Sequence, residues 1–120
     1  MGDYTPKYQP GADLTRTASG TVTGGQIVTV AGAAAGADAA DFLGVARQDA
    51  TSGKTFLVTS GGVQRVVAAG AIAAGARVKC AAAGKVTTFA AASDNSDLRV
   101  GIALEAAAAD GDELDVKFDR

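Results

Sequence analysis

Ser52-Gly53-Lys54-Thr55 is the stretch of this sequence that comes closest to a known chemical motif. It matches the end of a Walker A loop, in which glycines expose backbone N–H groups to phosphates and a following helix adds its positive dipole end. The first glycine of that motif should stand where the sequence has Gln48. Residues 55–59 are β-branched or aromatic without a helical period, which predicts a strand. We therefore interpret residues 49–54 as a turn between strands.

Other catalytic chemistries have few candidate residues. The sequence contains no histidine, which excludes Ser-His-Asp and Cys-His catalysis and leaves a poor ligand set for zinc. Cys80, the single cysteine, is predicted to be a small buried hydrophobe in a strand. Four carboxylates lie close together in the sequence, at Asp110, Asp112, Glu113 and Asp115. Their spacing lacks the EF-hand loop and is typical of an exposed turn. No catalytic residue, cofactor or metal site is predicted.

Composition limits the classes of partner. The length of 120 residues predicts one domain, or two very small halves that share a core. The chain is 48% hydrophobic but only 5% aromatic, which predicts a thin core of small side chains and favours oligomerisation. The net charge is −2, and no basic run is present to bind nucleic acid. The sequence shows neither an apolar stretch long enough for a membrane span nor a signal peptide, so we expect synthesis in the cytoplasm and no membrane partner.

The first twenty residues differ from the rest. Tyr4, Pro6, Tyr8 and Pro10 all lie in this segment, and the prolines favour an extended backbone. We predict an extended N-terminal arm over residues 1–20, in which Tyr4, Tyr8 and Leu14 have no evident local partner.

Residues 21–120 are predicted to form a mainly β domain, because short runs rich in Val, Ile, Thr and Phe alternate with glycine turns. These runs repeat. Residues 25–30 align with 75–80, and residues 43–46 align with 100–103. The repeat predicts two related halves, about 21–67 and 68–120. The matched glycines, such as Gly44 and Gly101, predict either a close backbone approach or a β-bulge.

Alanine runs are the exception to the strand pattern, since alanine is the best helix former. They predict one or two short helical turns, near residues 104–110 and 33–41.

Four segments carry a family resemblance: YTPKYQPGADLTRTASGTVTGGQIVTV at residues 4–30, GVARQDATSGKTFLVTSGGVQRVV at 44–67, GAIAAGARV at 70–78 with GKV at 84–86, and GIALEAAAADGDELDVKFDR at 101–120. In order and spacing they resemble the capsid decoration, or cement, proteins of tailed bacteriophages, especially those that infect actinobacteria. The resemblance implies a small β-clip or β-tulip barrel, similar to the head-stabilising protein of phage lambda. It also implies a non-enzymatic protein on the outer capsid surface of the virion, usually a trimer, with the major capsid protein and its own copies as partners.

The arm suits this implied role. It could add to the edge of a coat-protein sheet through backbone hydrogen bonds, with side chains as anchors. The predicted capsid-binding residues are Tyr4, Pro6, Tyr8, Pro10 and Leu14.

A surface or tail adhesion module that binds carbohydrate is the alternative. Such a module normally presents exposed aromatic platforms. Beyond the arm the sequence offers only phenylalanines in strand-like or apolar contexts, at Phe42, Phe56, Phe89 and Phe118.

Overall fold

The computed structural model of the chain describes residues 13–119, which form nine strands and two short 3₁₀ turns. The strands are β1 Asp13–Thr17, β2 Ile27–Thr29, β3 Phe42–Ala46, β4 Thr55–Thr59, β5 Val63–Val67, β6 Arg77–Cys80, β7 Val86–Thr88, β8 Arg99–Ala103 and β9 Glu113–Phe118. The 3₁₀ turns are Ala82–Gly84 and Ser96–Leu98.

The strands form two antiparallel sheets. The first has the order β1-β4-β3-β2 and the second the order β5-β9-β8-β6-β7. The predicted mainly β fold is confirmed. The predicted barrel is not formed by residues 13–119, because each sheet is open; a single parallel bridge, from Ala68 to Val86, links the outer strands of the second sheet.

The two sheets are copies of one unit. Strands β1, β4, β3 and β2 correspond in order to β5, β9, β8 and β6. The loops correspond as well, since Gly25 donates its N–H to Ala46 and Gly75 donates to Ala103, each at 2.8 Å. The repeat read from the sequence is therefore a structural repeat.

The chain passes from the first unit to the second at Gly61 and Gly62, between β4 and β5. Both have positive φ angles, 73° and 70°, which glycine adopts without steric cost. Strand β5 follows at once and pairs with β9 of the second sheet. Residues 63–67, which the repeat predicts as the end of the first half, belong to the second sheet.

The core has two parts. One cluster belongs to the first sheet and contains Ala18, Val22, Val28, Ala46, Ala50, Phe56 and Val58. Their counterparts in the repeat are Ala68, Ile72, Val78, Ala103, Ala107, Leu114 and Val116, and all of these lie in the second cluster. The second cluster also contains Ile27, Ala35 and Val45 of the first half. The second core is thus shared by both halves.

The helical turns lie elsewhere than predicted. Residues 104–110 are not helical, because Ala107 pairs with Ile72 and the Asp112 carboxylate accepts the N–H groups of Ala108 and Ala109. Residues 33–35 instead run back along β2, where Ala35 donates to Ile27. Pairing with neighbouring backbone overrides the helix propensity of alanine in both segments.

Gly44 and Gly101 lie where two backbones almost touch. A Cβ at Gly44 would be 2.3 Å from the Thr59 carbonyl oxygen, and one at Gly101 would be 2.1 Å from that of Lys117. The predicted close approaches are confirmed at both positions.

Candidate functional site

The structure describes one of the five predicted capsid-binding residues. Tyr4, Pro6, Tyr8 and Pro10 lie outside residues 13–119. Leu14 lies on β1, is half-buried, and packs against the first cluster. Residues 13–17, which the sequence analysis included in the arm, therefore belong to the first sheet, and Leu14 has local packing partners.

Asp13 fixes the start of β1 to the sheet. Its carboxylate accepts a hydrogen bond from the Thr59 hydroxyl at 2.7 Å and forms an ion pair with Arg47. The hydrogen bond from Arg47, followed by that from Thr59, lowers the pKa of Asp13. A charged side chain therefore holds the start of β1 to the sheet.

The other edge of β1 is open within residues 13–119, where β1 pairs with β4 alone. Thr15, Arg16 and Thr17 are exposed. An open edge offers backbone donors and acceptors to an added strand, and polar side chains along it oppose non-specific aggregation. This edge is a candidate surface for an extended partner segment.

The Lys54 segment is a turn, as predicted. Gly53 has a φ of 87°, Lys54 donates its N–H to Thr51 at 3.0 Å, and β4 follows immediately. A strand in this place supplies no helix dipole to a phosphate.

An open groove of about 440 Å³ lies beside this turn. It is lined by Thr21, Val22, Thr23, Asp49, Ala50, Thr51 and Lys54. Asp49 accepts the Gly24 N–H at 2.8 Å, so its carboxylate serves the loop structure. A carboxylate next to the single lysine of this groove disfavours a phosphate group.

Lys54→Ala is expected to change the free energy of unfolding by no more than a few tenths of a kcal/mol, because Lys54 is an exposed turn residue. Chemical denaturation measures this change. Titration of both proteins with ATP provides the functional comparison, and ATP binding that the substitution abolishes would contradict the turn interpretation.

Cys80 is unsuited to nucleophilic chemistry. It is 1% exposed, and burial, with a smaller contribution from Asp41, raises its pKa to about 12. The thiol is therefore protonated at neutral pH, whereas the reactive form is the thiolate. The prediction of a small buried hydrophobe is confirmed.

The four side-chain carboxylates within residues 110–115 take part in contacts that stabilise the fold. Asp110 pairs with Lys85 at 2.9 Å, and Asp112 holds the loop that precedes it. Glu113 and Asp115 each lie 3.1 Å from Arg65. Residues 13–119 contain no group of three acidic or cysteine side chains arranged to hold a metal ion.

Lys79 joins the halves. Its ammonium group lies 2.8 Å from Asp38 of the first half and 2.9 Å from Asp94 of the second, and its side chain is only 16% exposed. Hydrogen bonds to Asp38 and then Asp94 raise the pKa of Lys79. Asp94 has a lowered pKa, caused first by the Ala90 N–H and then by Lys79. Sequence reasoning missed this contact, because nothing in the alternating strand pattern identifies partners so far along the chain.

The aromatic side chains form no binding platform in the part of the chain that the structure describes. Phe56 and Phe118 are buried, and Phe42 and Phe89 are half-buried. The exposed large hydrophobic side chains in this part of the chain are aliphatic: Val30, Leu57, Val63 and Leu104.

No helix within residues 13–119 is long and apolar enough to cross a membrane.

These features define a class: a small two-sheet β-protein whose described surface offers strand edges and aliphatic patches rather than a catalytic cluster. The fold is shared with a solved phage protein. The crystal structure of the head fiber gp8.5 N base in bacteriophage phi29 superposes with a TM-score of 0.71, at 19% sequence identity, over 90% of this chain and 93% of that chain. No curated protein matches the sequence.

Residues 8–118 match the family model of the phage cement protein, and the chain therefore belongs to that family. The family is one of structural phage proteins associated with the capsid. The resemblance noted in the sequence is confirmed at the level of the family.

Proposed function

We propose that this protein is a non-enzymatic cement protein that binds the outer surface of an expanded phage capsid, as a trimer, and stabilises the coat lattice. The observation that carries this proposal is the cement-family match over residues 8–118. The partners are the major capsid protein and further copies of this chain, with no role for nucleic acid or membrane. The buried thiol, the turn at Lys54 and the structural use of the carboxylates support a function without catalysis.

Stabilisation of the coat lattice then follows from the thermodynamic linkage between binding of the cement protein and expansion of the lattice. A protein that binds the expanded lattice and not its precursor favours the expanded state by mass action. Three copies on one lattice position bind together, so weak single contacts combine through a high effective concentration. Neither step needs a chemical reaction.

The arm and β1 supply the proposed attachment. The N-terminal arm, through Tyr4, Pro6, Tyr8 and Pro10, binds the coat protein as an extended segment. The Asp13 contacts to Thr59 and Arg47 fix its exit point, so force on the arm passes to the first sheet. Leu14, packed on the first cluster, contributes by holding β1 in place.

Co-sedimentation tests the function directly. Purified protein is mixed with expanded capsids that lack it and, as a control, with unexpanded capsids. We expect saturable binding to expanded capsids and a higher disruption temperature for the decorated particles. Failure to bind expanded capsids would refute the proposed function.

Two truncations test the arm. Removing residues 1–10 leaves β1 intact, so the melting temperature should stay nearly unchanged while capsid affinity falls at least tenfold, about 1.4 kcal/mol. Removing residues 1–18 also deletes β1 and should lower the melting temperature, because β4 loses its paired neighbour and the first cluster loses Leu14 and Ala18.

Full capsid affinity after removal of residues 1–10 would contradict the arm's role. It would place the attachment surface on the two-sheet domain.

A further inference from the structure

Each unit of the repeat carries a pair of loops that lie side by side at one end of its sheet. A bridge joins the two loops of each pair, Val22 with Ala50 in the first unit and Ile72 with Ala107 in the second. Each bridge has two backbone hydrogen bonds, of 2.8 and 2.9 Å. The two loop pairs are therefore held in the same way, and their side chains can be compared position by position.

The side chains around the two bridges differ in chemistry. The first unit has polar side chains, at Thr21, Thr23, Asp49 and Thr51. At the matched positions, counted from the bridges, the second unit has only alanine, at Ala71, Ala73, Ala106 and Ala108. Alanine at all four positions supports the same bridge, so the loop backbone does not depend on the polar side chains of the first unit.

These polar side chains line the open groove of about 440 Å³ beside Lys54. Val22 and Ala50, which are 1% and 7% exposed, form the apolar floor of the groove. Within residues 13–119, the three threonine hydroxyls and the Lys54 ammonium group make no hydrogen bond or ion pair, and Asp49 uses one carboxylate oxygen for the Gly24 N–H. The groove therefore presents hydroxyls, an ammonium group and a carboxylate oxygen to a ligand.

This set of groups indicates the class of ligand. Hydroxyls both donate and accept hydrogen bonds, whereas an ammonium group only donates and a carboxylate only accepts. The charges of Lys54 and Asp49 offset each other, which disfavours a charged ligand. A saccharide without charge is complementary, because its hydroxyls donate and accept and its C–H groups can lie on the apolar floor. The groove volume also falls within the range of about 300–1,000 Å³ that is typical of ligand sites.

We propose that this groove is a binding site for an uncharged saccharide, held by the hydroxyls of Thr21, Thr23 and Thr51 and oriented by Lys54 and Asp49. No aromatic side chain lines the groove, so binding at a single site is weak. Binding at that single site does not depend on the proposed cement function. On a decorated capsid, many copies would bind one polysaccharide together, and this avidity does rest on the cement function.

Titration with monosaccharides, followed by amide chemical shifts in heteronuclear NMR spectra, tests the proposal. The uncharged probes are methyl glucoside, methyl mannoside, methyl galactoside and N-acetylglucosamine, and the charged counterparts are glucuronate and glucosamine. We expect saturable shifts of the amides that line the groove with at least one uncharged probe. Both charged probes should bind more weakly.

A triple variant removes the hydroxyls without introducing a sequence foreign to the fold. Thr21→Ala, Thr23→Ala and Thr51→Ala together give the first unit the alanines that the second unit already has. Thr88→Ala is the control, because Thr88 is an exposed threonine on β7, away from the groove lining. The triple variant should be folded by circular dichroism and bind the saccharide about tenfold more weakly or worse, while the control binds normally.

Absence of saturable groove shifts with every uncharged probe would overturn the proposal, as would unchanged affinity of the triple variant. Stronger binding of glucuronate or glucosamine would identify a site for a charged ligand and would also overturn it. If the triple variant no longer co-sedimented with expanded capsids, the groove would be a coat-protein contact instead. Saccharide binding by a protein that does not bind expanded capsids would support this inference and refute the proposed function, so the two failures are distinguishable.

Discussion

Gly101→Ala should destabilise the protein by about 3 kcal/mol or more, enough to leave a large part of a small domain unfolded. The added Cβ would lie 2.1 Å from the Lys117 carbonyl oxygen and 3.0 Å from the Phe118 Cα. These are backbone atoms of β9, which also pairs with β5 and is buried at Phe118. Neither strand can move without breaking a ladder or the shared core, so the clash cannot be relieved locally.

Gly20→Ala is the matched control. A Cβ at Gly20 meets no atom within 4 Å and its φ is not positive, so this variant should keep the original stability or gain slightly. Urea denaturation compares the three proteins. Equal stability of the Gly101 and Gly20 variants would show that the strands are farther apart than described.

Phe56→Ala is the second substitution with a large expected effect, about 3–5 kcal/mol. Phe56 is 2% exposed and is the largest side chain of the first cluster. The other buried residues of this cluster are alanines and valines, which are too small to fill the cavity. Leu114→Ala, at the matched position of the second cluster, should cost about 2–5 kcal/mol.

Both variants should unfold in a single transition, because the second core contains residues from each half and Lys79 bonds to both. Unfolding followed by circular dichroism and by calorimetry measures this. Two separated transitions in Phe56→Ala, with the second at the original midpoint, would show that the halves fold independently.

The repeat is the feature of the fold that the sequence reveals best. Its glycines and β-branched runs recur at matched spacing because each unit needs the same turns and the same close approach, as at Gly44 and Gly101. The position of β5 was harder to predict, since residues 63–67 have a strand pattern that fits either sheet. Helix propensity gave a wrong prediction for residues 104–110, where pairing of Ala107 with Ile72 determines the backbone conformation.

The candidate surfaces are less visible in the sequence. Asp13 and Arg47 are 34 residues apart, and nothing local shows that they meet. Likewise, Val63 and Leu104 have the residue types of ordinary strand positions, and only their exposure distinguishes them from core residues. Prolines and tyrosines predict an arm by composition, whereas the start of the first sheet at Asp13 depends on pairing between β1 and β4, a long-range contact.

The buried thiol of Cys80 has a practical consequence. The Asp38 N–H of the first half bonds to the Cys80 carbonyl at 3.1 Å, so this cysteine lies at the junction between the halves. A protonated, inaccessible thiol reacts with alkylating reagents only when the junction opens. The single cysteine of the chain thus reports the opening of this junction without an introduced label site.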